Sequence, residues 1–257
     1  MKCVYVRGIG FWTTGYPNLT AWMEKRPEPE AKKPEASLLQ GPLSRRATPL
    51  TRMSVEVMQQ AVEMGKADAA STPSVWATAH GEHSTAIGLL GMMLKGEGKL
   101  SPTKFHNSVH NTPSGYASIA AKNRSPSTTL TGGAELVASA FCEAGAMVSA
   151  LNRDVVLVLG DEPLMVPFDS PDSARPLATS FLLSPDPNRA LGTISNLQKR
   201  PDQAPHSQDE TFGRLHVSAA LFLVEAIVRR QSGIIPLQHQ TSFNPEGWSL
   251  QLEAPPT

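Results

Sequence analysis

The sequence predicts an α/β fold with a mainly parallel, mixed sheet covered by helices on both faces. Three observations carry this prediction. Short β-branched or apolar runs alternate with stretches of helical periodicity, the order expected of strands joined by helical crossovers. Val155 to Leu159 is a continuous apolar run, as a strand covered on both faces requires. The stretch Ser101 to Leu136 joins a short strand, a glycine turn and a long helix of small residues.

Taken in order, Cys3 to Trp12 is β-rich and ends in Thr13-Thr14-Gly15, so it reads as a central strand. Lys25 to Pro42 is rich in Pro, Glu, Lys and Ala without a period, which predicts an exposed loop. Thr48-Pro49 gives an N-cap and a proline at the first helical position. The helix it opens runs to about Met64, with Met53, Val57, Met58, Ala61 and Val62 on one face. Ser74 to Ala79 is a second strand, followed by His80-Gly81-Glu82-His83 and a helix from Ser84 to about Leu94. A loop ending in Pro113-Ser114-Gly115 opens a short helix, Tyr116 to Lys122. Ser127 to Thr131 then reads as a buried strand, and Gly132-Gly133 turns it into a helix from Ala134 to about Ala150. Ala174 to Leu183 and Ala190 to Leu197 suggest a hairpin joined by Ser184-Pro185-Asp186-Pro187-Asn188. Lys199 to Asp209 is a polar loop, Glu210 to Arg230 an amphipathic helix, and Trp248, Leu250 and Leu252 alternate as in a final edge strand.

The strand–turn–helix at Ser127 to Ala150 forms an elbow. Such an elbow presents one side chain at a helix N-terminus, where the dipole and free N–H groups favour an anion. Enzymes built this way carry Ser or Cys at the tip. Here the tip is Gly132-Gly133-Ala134, with no nucleophile. The run SPTKFHNSVHNTPSGYASIAAKNRSPSTT, the turn and helix after it, and VVLVLGDEP at Val155 to Pro163 resemble the β-ketoacyl synthases. These enzymes condense acyl thioesters on a thiolase-type fold. The resemblance is closest to a short branch found in bacterial aryl-polyene clusters and covers, with the opening strand, roughly half the chain.

The resemblance implies a thiolase-like half fold, with residues 1–257 as a single synthase N-terminal-like domain and an open correspondence for 199–257. Aligning Ser125-Pro126-Ser127 with the family's Gly-Pro-Ser places Ala134 at the nucleophilic cysteine; Gly133 and Glu135, one residue to either side, cannot form a thioester either. The family's second half, which supplies two His or a His and an Asn, is missing. The resemblance therefore implies a non-catalytic subunit, comparable to a chain length factor, that pairs with an active β-ketoacyl-ACP synthase as a heterodimer. The strand Ser127, Thr128, Thr129, Leu130 and Thr131 would pair across the two-fold axis. The loop Phe105, His106, Asn107, Ser108, Val109, His110, Asn111 and Thr112, with Tyr116, would reach the partner's acyl tunnel. The implied cargo is a polyketide or fatty-acid-type polyene chain carried on acyl carrier protein. Two alternatives stay open: a scaffold or carrier-protein-binding module with no role in chain length, and a stand-alone acyltransferase or thioesterase using Cys142 or a histidine.

Composition limits the rest. At 257 residues the chain suits one hydrophobic core. It carries 23 basic and 23 acidic residues, so nothing suggests nucleic acid or a polybasic membrane anchor. No apolar run approaches a membrane span. Cys3 and Cys142 are too few for a disulfide framework; they read as two buried thiols in a reducing cytoplasm. His80-Gly-Glu-His83 lacks the i, i+4 histidine spacing of the helical metal motif, so neither metal nor cofactor is expected. His206, His216 and His239 sit in no His-Gly-Thr-like setting, and His216 reads as a helix-surface or interface residue. Asp161 and Glu162 point to opposite faces of a strand, which argues for a structural turn rather than a shared proton.

Overall fold

The computed structural model describes residues 3–96, 99–165, 168, 175–201, 211–212, 215–239 and 246–255. Among these residues eight strands form one sheet: β1 (Val4–Thr13), β2 (Ser74–Thr78), β3 (Ser127–Thr131), β4 (Val155–Asp161), β5 (Leu177–Ser184), β6 (Gly192–Pro201), β7 (Gly233–Pro236) and β8 (Glu246–Glu253), in the spatial order β3-β2-β4-β5-β1-β6-β8-β7. The helices are α1 (Leu19–Met23), α2 (Gly41–Arg46), α3 (Pro49–Gly65), α4 (His83–Lys95), α5 (Pro102–His106), α6 (Thr112–Ala121), α7 (Leu136–Leu151) and α8 (Ala220–Val228), with a 3₁₀ turn at His216–Ala219 before α8.

The α/β class and the mixed, helix-covered sheet are as expected, but the balance is not. Only β3-β2-β4 is parallel; every pair from β4 to β7 is antiparallel. Parallel neighbours need long crossovers, and here α4 to α6 and α7 supply them, with α6 and α7 on opposite faces of the sheet.

Period-two alternation divides the core. Val75, Ala77, Leu157, Phe181 and Leu183 face a cluster built with α7 and α8, while Trp76, Val156, Val158 and Leu182 face one built with α3 and α6. The α3 helix starts as its sequence dictates. Thr48 Oγ1 accepts from Thr51 N at 3.1 Å with Pro49 in the first turn, and the five apolar residues named above are buried. It lies against β1 backbone to backbone, because a Cβ on Gly8 or Gly10 would overlap the carbonyl oxygens of Ala61 and Val57.

Several expectations are corrected. The hairpin is absent, since β1 inserts between β5 and β6 and pairs with both. The turn between them is nonetheless made as read, with Asp186 N bonded to Ser184 Oγ and Asn188 N to Asp186 Oδ1. The final strand β8 is not an edge, because the short, proline-ended β7 covers it. The Lys25 to Pro42 segment is pinned rather than exposed throughout: Pro34, Ala36 and Leu39 are buried, and Ala36 N and Leu38 N donate to Glu56 and Gln59 of α3. Helix α5 falls where a loop was expected, α2 begins at the end of the Lys25 to Pro42 segment, α1 forms in a stretch given no element above, and β6 extends into the presumed polar loop, whose remainder lies outside the described residues. The helix read from Glu210 is shorter and begins with the 3₁₀ turn. The β3 strand is half-exposed, since it has a neighbour on one side only. Both cysteines are exposed: α7 turns Phe141, Ala144 and Val148 inward and Cys142 outward.

Replacing Gly10 with Ala is expected to destabilise the fold by about 3 kcal/mol or more, at the upper end of overpacking, because backbone must move. Gly88→Ala, in open space on α4, should gain up to about 1 kcal/mol from helix propensity. Urea denaturation of both variants checks this; an unchanged midpoint for Gly10→Ala contradicts the close approach.

Candidate functional site at the elbow

The carboxyl ends of β2, β3 and β4 meet at one place, and the chain's polar chemistry collects there. Asp161, fully buried at the end of β4, accepts from Thr78 Oγ1 at 2.6 Å, from Ala79 N at 2.9 and 3.0 Å through its two oxygens, and from His80 N at 3.2 Å. This fastens the β2 exit to β4. Burial pushes its carboxyl above the usual range, countered by those hydrogen bonds and by His216. Glu82 ties the same loop to the start of α3, accepting from Thr48 Oγ1 at 2.6 Å and Thr51 Oγ1 at 2.9 Å. Burial raises its pKa, and it raises that of Glu162 to about 7, together with desolvation and Asp161.

Four histidines surround this knot. His83 Nε2 lies 3.1 Å from Pro163 O, so the ring donates there. The His80 ring stands 6.2 Å from that of His83 and 6.5 Å from that of His216. Burial lowers the pKa of all three, so they are neutral at pH 7. Gly81, at φ +56°, is required where it is: a Cβ would stand 2.6 Å from the ring of His110. Among the described residues no three His, Cys, Asp or Glu side chains converge as metal ligands.

The elbow faces this group. Gly132 and Gly133 are exposed and Ala134 is half-exposed between them and α7. Glu135 turns away to pair with Lys199 at 2.8 Å. Of these positions it is 133 that looks at a base: a Cβ built on Gly133 would lie 4.0 Å from His216 Nε2, with no other atom from beyond the adjoining residues that close. The end of β2 and the elbow therefore meet through His216, which stands by His80 on one side and by Gly133 on the other. The meeting of His80 with His216 has no sequence signal, since 3₁₀ geometry and a long chain separation bring them together.

The other residues singled out divide by depth. Phe105, His106, Val109, His110 and Asn111 are exposed and Ser108 is half-exposed, its hydroxyl donating to Phe105 O at 2.8 Å. Asn107, Thr112 and Tyr116 are buried: Tyr116 donates to Asn107 Oδ1 at 2.9 Å and packs in the α3–α6 core. Ser127 and Thr131 are exposed, with Thr128, Thr129 and Leu130 half-exposed along an edge whose outer side has no strand. A serine–histidine pair that no sequence pattern showed lies behind His216. Ser218 Oγ donates to Leu215 O at 2.6 Å and lies 2.8 Å from His239 Nε2. With its one proton given to a carbonyl and buried His239 Nδ1 unpartnered, the ring donates to the hydroxyl. The pair is a packing contact, not an activated nucleophile. His206 lies outside the described residues.

A parallel trio of strands, a strand–glycine–helix elbow and histidines at its mouth are the features of a condensing-enzyme scaffold, with Gly132, Gly133 and Ala134 at the turn. The chain belongs to the β-ketoacyl synthase family: the model of that family's N-terminal domain matches residues 20–243. Solved structures share the thiolase-like fold. One is a ketosynthase in complex with its chain length factor from Xenorhabdus doucetiae (TM-score 0.68, 18% identity, 98% of this chain and 100% of that chain). Another is the ishigamide ketosynthase/chain length factor (0.72, 11%, 98% and 99%). A third is a type II polyketide synthase acyl-carrier protein in complex with its ketosynthase bound to the hexaketide (0.73, 12%, 99% and 99%). No curated protein matches the chain in sequence. Among the described residues no helix is long and apolar enough to cross a membrane.

Glu162 gives this site a pH signature. Its folded pKa of about 7 lies above the ordinary 4.5, so its proton is held more tightly in the folded state. The resulting stability is fully present below about pH 4.5 and is lost as pH rises through 7. Glu162→Gln should abolish that loss, gaining on the native chain by a few kcal/mol between those pH values. Denaturation midpoints of both proteins across pH 4.5 to 8 measure it; parallel curves contradict the raised pKa.

Proposed function

We propose that the whole chain, 1–257, is a chain-length-factor-like subunit, non-catalytic in condensation, that pairs with an active β-ketoacyl-ACP synthase and shapes its acyl pocket in aryl-polyene-type biosynthesis. The observation that carries this is the open edge of β3, supported by apolar side chains left unburied on the helices of the same crossover. An exposed strand edge is an invitation to pair, and α4, packed on α5, leaves Leu90 (57% exposed), Met93 (60%) and Leu94 (89%) to solvent. Phe105 and Val109 continue that surface, and Ser114 of α6 reaches Thr129 of β3 at 3.4 Å. Pairing β3 with the equivalent strand of a catalytic subunit would extend one sheet through both proteins. The elbow without a side chain at Gly133 and with methyl at Ala134 supports a subunit that leaves condensation to its partner.

A cleft of about 540 Å³ lined by Arg45, Arg46, Lys104 and the hydroxyls of Thr48, Ser84 and Thr103 supports the carrier-protein part of the reading, because the carrier's phosphopantetheine arm brings a phosphate. The cytoplasm, where exposed Cys3 and Cys142 stay reduced, is the compartment that fits.

Co-expression with a ketosynthase of the same gene neighbourhood should yield a one-to-one heterodimer, while the chain alone is poorly soluble or self-associated. Thr129→Pro removes a ladder N–H and should break the complex. A well-behaved monomer that ignores each such ketosynthase contradicts the proposal. Incubated with an acyl thioester, the chain should show no stable acyl adduct by intact mass, on Cys142 or elsewhere.

Chain length separates a pocket-shaping subunit from a scaffold. With Tyr116 in the core, Phe105 and Val109 are the side chains left to meet a tunnel. A rigid polyene cannot bend round an obstruction, so Val109→Phe should shorten the product; overpacking of about 1–3 kcal/mol corresponds to a roughly five- to 150-fold bias against the longer chain. Phe105→Ala should lengthen the product or broaden its distribution. Mass spectrometry of acyl chains from reconstituted heterodimers reads the outcome, and intact heterodimers with unaltered lengths favour the scaffold.

A further inference from the structure

The elbow has lost its nucleophile but keeps a base. We propose that water beside Gly133, next to the Ala134 position aligned with the family's cysteine, takes the place of a nucleophilic side chain, and that His216 activates it to hydrolyse acyl thioesters presented there. The thioester as substrate class rests on the reading above; the site itself rests on the geometry that follows.

His216 Nε2 is 4.0 Å from the point a Cβ of residue 133 would occupy, and no other atom from beyond the adjoining residues lies within that distance. Water beside that point is therefore within hydrogen-bond reach of the ring, at about 2.8 Å. Both groups meet solvent, as Gly133 is exposed and His216 only half-buried. The 3₁₀ turn carrying His216 is packed from beneath by Val217 and Ala219, which are fully buried, so the ring is held on a rigid element. His80, with its ring 6.5 Å away, and buried Asp161 are the titratable groups facing His216 from β2 and β4. Desolvation, aided by His80, leaves His216 neutral and thus able to take a proton at pH 7, and Asp161 stabilises the imidazolium once it forms. On the other side of the elbow α7 begins without a side-chain cap, so its N-terminal N–H groups favour charge developing on the thioester oxygen.

The step balances without a cofactor. The water oxygen bonds to the thioester carbonyl carbon while its proton passes to His216 Nε2. The tetrahedral oxyanion then collapses, the C–S bond breaks, and the departing thiolate takes the proton from the imidazolium. The products are a carboxylic acid and a free thiol, with His216 returned to its neutral form. A nucleophilic side chain at 133 would trap the acyl group; glycine lets water carry it away. Such an activity would clear acyl groups that reach this subunit instead of its partner.

The full chain, alone and in its heterodimer, is given the hexanoyl thioester of N-acetylcysteamine, and thiol release and hexanoic acid are followed at pH 7. Release above the buffer rate is expected, falling at least tenfold in His216→Gln. Gly133→Ala should lower it similarly, because the methyl group displaces the water at ordinary van der Waals distance. That backbone tolerates alanine, so its melting temperature should be unchanged. Gly133→Cys should instead accumulate an acyl adduct on residue 133, visible by intact mass, and lose it when His216→Gln is added. Release no faster than buffer, or release that survives either single substitution, overturns the proposal. Sizing of the same variants keeps the two readings apart: the heterodimer should persist in both, and its loss or persistence is read independently of hydrolysis.

Discussion

Asp161 is fully buried among strand ends, and a carboxylate in that position is tolerated only because donors surround it. Those donors come from Thr78, Ala79 and His80, so the carboxylate sets the path by which the chain leaves β2. That path places His80 before the elbow, His83 against Pro163, and Glu82 against the first turn of α3. Remove the carboxylate and several buried N–H and O–H groups lose their acceptor together. The parallel trio β3-β2-β4, the histidine group and the mouth of the elbow are therefore one unit held from beneath.

The two halves of the sheet have different fates. From β5 to β8 it is antiparallel, buried in the middle and closed at its far end by a short strand ending in Pro236, which discourages further pairing. At the other end β3 has neither a proline nor a charged side chain along Ser127 to Thr131, and α4 and α5 of the β2-to-β3 crossover leave apolar side chains in solvent. One edge is protected by proline and the other is not. An elbow whose turn carries only Gly132, Gly133 and Ala134, together with that unprotected edge, is the physical content of the proposed function.

Much of this was legible in the sequence, and the parts that were not share a cause. Local signals worked: Thr48-Pro49 located the start of α3, the apolar run at Val155 located β4, and Gly132-Gly133 located the elbow. Pairing did not, because adjacency between β1 and both β5 and β6 depends on contacts across more than a hundred residues, whereas the turn at Ser184 to Asn188 offered a plausible local hairpin. The same limit hid the site. His216 reads as one more helical residue until the fold sets it beside Gly133, and Tyr116 reads as a tunnel wall until its hydroxyl is seen bonded to buried Asn107. Cys142 misled in a different way, since in a helix as apolar as α7 composition does not reveal which face is turned outward.

The central claim is that β3 pairs with a catalytic subunit edge to edge, and cross-linking tests it most directly. A cysteine at Thr129, with Cys3 and Cys142 replaced by serine, is co-expressed with a ketosynthase carrying single cysteines along the strand that precedes its own nucleophile. The account predicts rapid disulfide formation at one register of that strand and much slower formation one residue to either side. A stable complex that cross-links at no position along that strand would contradict it.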